Sequence, residues 1–588
     1  SVTVPHDWAI YGPFSSLNDK QEVAISQDGQ KEAMEHAGRT GGLPFVGVGW
    51  YRTEFDVPQF QAGKRATILF DGAMSHANVY INGQKVGYWP YGYNSFHFDI
   101  TKYLKPGEKN TLAVRLENLP ESSRWYPGAG LYRNVHLIIT EDAYIPVWGT
   151  YITTPSVNEK FAKVNVRTKV VLPEGADHAK YSVETSVWNP NKQKLTAVRT
   201  SLAQMKYNNN QAEQEFVIQA PSLWSPEMPA LYSAETRLYE GDKLKDIYTT
   251  PFGIRSIEII PDKGFFLNGK RTVFKGVCNH HDLGPLGAAV NDAAIRRQIR
   301  ILKDMGIRTS HNMPAPELIR ACDEMGMMIM AESFDEWNVA KCKNGYNLLF
   351  DEWAEKDLVN LLHNFRNNPS VVMWCIGNEV PNQWNEGDCK IAKWLQDICH
   401  REDPTRPVTQ GMDAPDAVVN NNFAAVMDVA GFNYRPFKYK INYKKLPQRI
   451  VLGSETASTV SSRGVYKFPV ERKAMAKYDD HQASSYDVEH CGWSNLPEDD
   501  FIQHEDLPYC IGEFVWTGFD YLGEPTPYYT DWPSHSSLFG IIDLAGIPKD
   551  RFYLYRSHWN KTARTLHILP HWTWPGREGE VTPVFVYT

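Results

Sequence analysis

Between Thr272 and Trp516 the sequence repeats one pattern: a short apolar run, an amphipathic stretch, then another apolar run. The runs are 272–279 (TVFKGVCN), Ile307–Ser310, Met327–Ala331, Val371–Ile376 (VVMWCI), Pro407–Gln410, Val426–Phe432, Arg449–Leu452 and Tyr509–Trp516. Strands apolar on both faces belong in a parallel sheet, where helices cover both sides. Eight such units over about 300 residues close into a (β/α)8 barrel. The first intervening helix shows the spacing clearly. In Asn291–Met305 the apolar residues Ile295, Ile299, Ile301, Leu302 and Met305 share a face, Asn291-Asp292 supplies the cap, and Gly306 stops it. Pro316–Met325, Trp353–Phe365 and Ile391–His400 are predicted helices on the same grounds. Glu455 to His504 is a long connection between the last two strands, and long loops at that end of a barrel usually carry function.

The N-terminal part has a different texture. Ala66–Asp71, Ala77–Ile81 and Asn110–Glu117 alternate apolar with polar residues, and Asn82-Gly83 marks a tight hairpin. Lys163–Val171, Tyr181–Trp188 and Gln214–Ile218 repeat the alternation further on. The expected architecture is therefore multidomain: a jelly-roll sandwich over 1–140, an immunoglobulin-like sandwich over 141–257, and a barrel over 258–565. Residues 566–588 end on a fresh strand (PVFVYT) and are read as the start of a further, truncated β-sandwich. No stretch reaches about 18 unbroken apolar residues, so no membrane span is expected. The formal charge of −8, without a basic block, argues against nucleic acid as a partner. All eight Cys lie after residue 277 without zinc spacing, and most are expected to be buried free thiols. The chain begins at Ser1 without Met or leader. It is read as a bacterial protein exported to the periplasm or beyond after signal-peptide removal, and a cytoplasmic location also fits.

Barrel active sites lie at the C-terminal ends of the strands. The polar residues there are His280, His281 and Asp282; Ser310, His311 and Asn312; Glu332 and Asp335; Asn378 and Glu379; Asn433 and Tyr434; Glu455; and Glu513, Trp516 and Asp520. Glu379 and Glu455 follow strands on opposite sides of the mouth, the arrangement that glycoside hydrolysis needs: one acid for the leaving oxygen, one carboxylate for the anomeric carbon. Spacing alone leaves Glu513 as a rival for the second position. Aromatic residues make up 13% of the chain. Trp516, Tyr434, Trp337 and Trp374 fall at strand ends or beside these motifs, where a ring can face a sugar.

Arg366-Asn-Asn-Pro-Ser-Val-Val-Met-Trp-Cys-Ile-Gly-Asn-Glu379 resembles the acid/base signature of glycoside hydrolase family 2. Ile307-Arg-Thr-Ser-His311, Phe266-Leu-Asn-Gly-Lys270, Leu223-Trp-Ser-Pro-Glu227, Gly130-Leu-Tyr-Arg133 and Asp403-Pro-Thr-Arg-Pro407 resemble further segments of that family in the right order. The resemblance implies a retaining β-glycosidase. Glu379 is then the acid/base and Glu455 the nucleophile, with carboxyls about 5–5.5 Å apart. Glu455 is expected ionised and Glu379 protonated, its pKa raised by the neighbouring charge. By the same resemblance Asn378 meets the sugar 2-OH, Tyr434 supports the nucleophile, and Trp516 floors the sugar. His311 and His281 reach glycone hydroxyls, and Asp335 and Glu513 are further substrate-binding candidates.

The segment Phe514–Pro527 looks like strand 8 of the gut-bacterial β-galactosidase branch. Asp531–Leu538 lacks the Asn-x-Lys element with which the glucuronidase branch grips a sugar carboxylate. The expected activity is exo-hydrolysis of terminal β-linked galactose from an oligo- or polysaccharide. The alternatives are β-mannosidase, β-glucuronidase, a modified-galactan hydrolase, or a non-catalytic carbohydrate-binding homologue. No cofactor is called for, and a metal ion and an oligomer are both compatible. Thr456-Ala457-Ser458 stands where the enterobacterial type has a histidine, Arg124 or Ser123 where it has an aspartate that helps hold sodium, and Phe334-Asp335 where it has a Thr-His pair, so the resemblance does not carry over the metal sites of that type.

Overall fold

The computed structural model describes the chain except for residues 14, 16–17, 19–21, 24–33, 36–39, 41–44, 60–62, 205–210, 304, 506, 525 and 529–534. The first sandwich pairs a four-stranded antiparallel sheet (Gly47–Asp56, Lys109–Asn118, Ala77–Ile81, Gln84–Trp89) with a three-stranded one (Phe96–Asp99, Arg65–Phe70, Val135–Thr140). Their alternate apolar residues, among them Ile68, Phe70, Val79, Ile81 and Val114, interdigitate in a buried core. The Asn82-Gly83 turn has φ of +50° and +80°, the left-handed pair that fits the twist of a two-residue hairpin. The second sandwich packs Thr150–Val157, Phe161–Lys169 and Gln211–Gln219 against the four-stranded sheet Lys194–Ser201, Tyr181–Trp188, Tyr232–Glu240 and Lys243–Phe252.

Eight parallel strands then close into a barrel: β1 Phe274–Asn279, β2 Gly306–Thr309, β3 Met328–Glu332, β4 Val371–Asn378, β5 Val408–Met412, β6 Ala430–Asn433, β7 Val451–Thr456 and β8 Cys510–Val515. The helices are α1 Asp292–Ile301, α2 Pro316–Met325, α3 Phe350–Phe365, α4 Cys389–Glu402, α5 Pro415–Asn420, α6 Tyr439–Tyr443, α7 Pro497–Glu505 and α8 Asp550–Trp559. Asn291 caps α1 as its sequence implies, accepting from Ala294 N at 3.0 Å. β6 begins later than the apolar run, because 424–426 form a helical turn and Asp428 reaches across to Val408 N at 2.8 Å. A small sheet (Ile257–Ile260, Gly264–Leu267, Lys270–Thr272) closes the barrel floor, where Phe265, Phe274 and Phe514 pack together.

The sandwiches are fastened to the barrel by buried polar groups. Arg133, fully buried, donates to Tyr93 O and Met313 O at 2.8 Å each. Asp357 of α3 accepts from Trp89, Asn94 and Tyr346. Arg255 donates to Pro369 O at 2.7 Å and Val371 O at 2.8 Å. These contacts bring 122–133 of the first sandwich over the barrel mouth. At the other end of the chain, His567–Leu569 pairs antiparallel with Phe585–Tyr587. All eight cysteines are free thiols, seven of them buried. Among the described residues no helix is long and apolar enough to cross a membrane.

Candidate active site

The pocket at the C-terminal ends of the strands is built around an arginine. Arg308 on β2 is fully buried and must be paired there. It clasps Glu332 of β3 through Nε (2.8 Å) and NH2 (3.0 Å). Its other donors reach Asn378 Oδ1 at 2.8 Å, Ser454 O at 2.7 Å and Glu455 Oε2 at 3.3 Å. One guanidinium thus ties β2 to side chains of β3, β4 and β7.

Glu455, at the end of β7, is 5% exposed and accepts from Tyr434 OH at 2.7 Å. Glu379, just beyond β4, is half-buried and accepts from Asn433 Nδ2 at 2.9 Å. Asn433 Nδ2 also donates to Asn378 Oδ1 at 2.9 Å, while the Ser454 hydroxyl donates to Asn433 Oδ1 at 2.8 Å. Glu379 sits at φ +43° and Tyr434 at φ +58°. Such left-handed conformations of large residues cost free energy and cluster at functional sites. Burial first, then the charge of Glu379, push the Glu455 carboxyl up to about 8, against Arg308 and Tyr434. The sequence reading has Glu455 ionised; its burial, which spacing does not reveal, works against that charge.

The glycone side is aromatic and polar. Trp516 lies flat on His311, with ring centres 5.1 Å apart and planes 4° apart. Burial, then the positive charge of Arg308, hold His311 well below the usual histidine range, which favours the neutral imidazole. Its Nε2 lies 3.2 Å from Asn378 Nδ2 and 3.6 Å from Glu455 Oε2. Asp335 takes a two-pronged contact from Arg124 of the first sandwich (2.8 and 2.6 Å) and one from Lys341 (3.0 Å). Although burial raises it, those cations hold its carboxyl well below the usual range.

Two carboxylates in one pocket, one buried beside a cation and a phenol, the other held by an amide and facing the opening, can divide acid and nucleophile roles. The chain matches "Glycosyl hydrolases family 2, TIM barrel domain" over 258–533, "Glycosyl hydrolases family 2" over 144–255 and "Glycosyl hydrolases family 2, sugar binding domain" over 43–141. It is 40% identical to the beta-galactosidase BoGH2A of Bacteroides ovatus, across 98% of this chain and 70% of that protein. The chain belongs to glycoside hydrolase family 2. A putative beta-glucuronidase of Formosa agariphila is 32% identical, across 100% of this chain and 55% of that one. A beta-glycosidase from Bacteroides vulgatus superposes with a TM-score of 0.85 at 32% identity, covering 100% of this chain and 74% of its own.

This family 2 β-glycosidase gathers Asn378, Glu379, Tyr434, Glu455, His311 and Trp516 along one pocket, with Asp335 behind Asn378 and Arg124. It does not bring His281 or Glu513 there. His281 turns away, its Nε2 2.9 Å from Pro127 O and its ring against Tyr93; its neighbour His280 lines the pocket instead. The alternation of faces stops where β1 ends, so the sequence could not choose between adjacent histidines. Glu513 points out of the barrel toward α7 and accepts from Thr456 at 2.7 Å. Trp337 and Trp374 are core residues whose indoles donate to Ile376 O and Asp403. Of the glucuronidase element, Asp531 to Ser534 lie outside the described residues. Sequence reasoning missed Arg308, Trp125 and Trp493, and placed Asn433 at a strand end without a role. A charged residue inside the apolar run Ile307–Thr309 was the available signal for the first.

Proposed function

We propose that this glycosidase is a retaining, exo-acting β-galactosidase. The observation that carries the mechanism is the pairing of Glu455, cradled by Tyr434 and Arg308, with Glu379, held by Asn433, in a single pocket. In the productive complex Glu379 carries the proton and Glu455 the charge, which Tyr434 and Arg308 receive. Glu455 attacks the anomeric carbon while Glu379 protonates the departing oxygen. Glu379, now a carboxylate, then takes a proton from the water that releases the sugar. Asn378 and His311 meet hydroxyls of the sugar, Trp516 supplies its apolar floor, and Trp125 from the first sandwich and Trp493 from the long loop bound the pocket. A bounded pocket suits a terminal residue.

Galactose is favoured by the Phe514–Pro527 segment and by the Bacteroides ovatus relative. The alternative is β-glucuronide, favoured by the Formosa agariphila relative and by Arg124 and Arg435 at the pocket. Asp335 neutralises Arg124 at 2.6 Å, which weakens it as a carboxylate receptor. A panel of nitrophenyl β-glycosides decides between them. We expect kcat/KM for the galactoside to exceed that for the glucuronide, mannoside and glucoside by about 100-fold or more, since a buried polar site rejects a mismatched hydroxyl strongly. A higher kcat/KM on the glucuronide would overturn the assignment. Anomeric inversion, followed by NMR, would overturn the retaining mechanism.

A further inference from the structure

Behind the catalytic strands, on the outer face of the barrel, α7 meets β7 and β8. We propose that Asp500, His504 and Glu513 there bind one divalent cation of the zinc or manganese class. Asp500 and His504 are four residues apart on α7 and so share a helix face; Glu513 comes from β8. Their donor atoms lie within 4.8 Å of one another, and the three residues are 0%, 4% and 1% exposed. Asp500 Oδ1 and His504 Nε2 are buried without a hydrogen-bond partner. His504 Nε2 lies 4.0 Å from Glu513 Oε2, too far for a hydrogen bond. The buried hydroxyls of Tyr439 and Tyr555 are also unpartnered, and both feel the charges of Asp500 and Glu513.

The surrounding groups behave as supports for metal ligands. Thr456 donates to Glu513 Oε2 at 2.7 Å, and Asn495 donates to Asp500 Oδ2 at 2.8 Å. Cys510 Sγ lies 3.2 Å from His504 Nδ1, which leaves Nε2 to face the cluster. Such outer contacts orient the ligands of a metal. Gly453 has no side chain where a Cβ would stand 2.6 Å from the His504 ring, so the strand leaves room for the imidazole. Two carboxylates and an imidazole desolvated together repel unless a cation, or a shared proton, neutralises them. One nitrogen and two carboxylates suit zinc or manganese better than calcium or magnesium, which prefer all-oxygen shells. Tetrahedral ligands at about 2.0–2.2 Å stand roughly 3.4 Å apart, so modest side-chain rotation closes the set. The cation would clamp the end of the loop that carries Trp493 to the strand that carries Glu455.

The test uses the full chain without a histidine tag. Metal content is measured as purified, and after EDTA dialysis the protein is titrated calorimetrically with ZnCl2 and MnCl2. We expect one site per chain and a rise in Tm on adding metal. Asp500→Asn and His504→Gln should each abolish the stoichiometric event with the circular dichroism unchanged. Should either fail to fold, Asn495→Ala, which removes only a supporting contact, should weaken binding about 10–100-fold. The proposal is overturned if the native chain neither retains nor binds one equivalent, or if Asp500→Asn, His504→Gln and Asn495→Ala bind as the native chain does. It is equally overturned if Asp500→Asn raises Tm and the native Tm ignores metal, the result a shared proton would give.

Discussion

Arg308 shows how much one residue can organise. Its guanidinium touches Glu332, Asn378 and Glu455, so the charge of the proposed nucleophile is set by a group three residues before His311 in the sequence. Removing the charge of Glu379 should lower the pKa of Glu455, because after burial that charge is the largest cause that raises it. In Glu379→Gln, the acidic limb of kcat/KM on a dinitrophenyl glycoside should therefore shift to lower pH. On a poor leaving group the same variant should lose about 10²–10⁴-fold. Unchanged turnover on the poor leaving group would refute the acid/base role. Glu455 also carries a stability cost. Its folded pKa, about 8, lies above the ordinary carboxyl value, so its contribution is fully present at low pH and is lost as pH rises through 8. Glu455→Gln should be inactive yet melt higher than the native chain at pH 9, with a smaller difference at pH 5, by calorimetry.

At the level of elements, the strand and helix pattern of the barrel was legible because buried parallel strands are almost wholly apolar. Strand ends were less legible. Glu379 and Glu455 could be found because each closes an apolar run, whereas His281 and Glu513 were misplaced where the chain leaves strand geometry or faces outward. Asn433 was visible only as a polar residue ending β6; that it holds Glu379 depends on β4 and β6 reaching across the mouth. The segment 122–133 makes the same point, since nothing local ties Arg124 to a carboxylate 211 residues away. Its position depends on Arg133, whose carbonyl acceptors are buried. Arg133→Met should cost about 1–3 kcal/mol for each acceptor left unpaired. It should raise KM more than it lowers kcat, because it frees Trp125 and Arg124 rather than the carboxylates. Steady-state kinetics with urea unfolding check both.

For the whole molecule, the first sandwich and the barrel together build the site. The first sandwich lends Trp125, the long loop Trp493 and the end of β8 Trp516, which directly follows it, so a barrel without the first sandwich has an incomplete pocket. The second sandwich is bound to the barrel by Arg255 and by Tyr151, which donates to Asp403 at 2.9 Å. Calorimetric unfolding and loss of activity should therefore coincide. A sandwich melting first with activity retained would show that these contacts do not couple the parts. Composition pointed to sugar-facing aromatics without locating them, because Trp224, Trp337 and Trp374 are buried in packing while Trp125, Trp493 and Trp516 line the pocket, and only tertiary contact separates the two uses.

The stack of Trp516 on His311 has an optical consequence. Burial and Arg308 disfavour a charged imidazole against the indole, and Trp516 also lines the pocket, so its emission responds to a ligand seated there. The molecule thus carries its own gauge of occupancy: a sugar or inhibitor can be titrated by intrinsic fluorescence, in a catalytically dead variant and with no chromophore on the ligand.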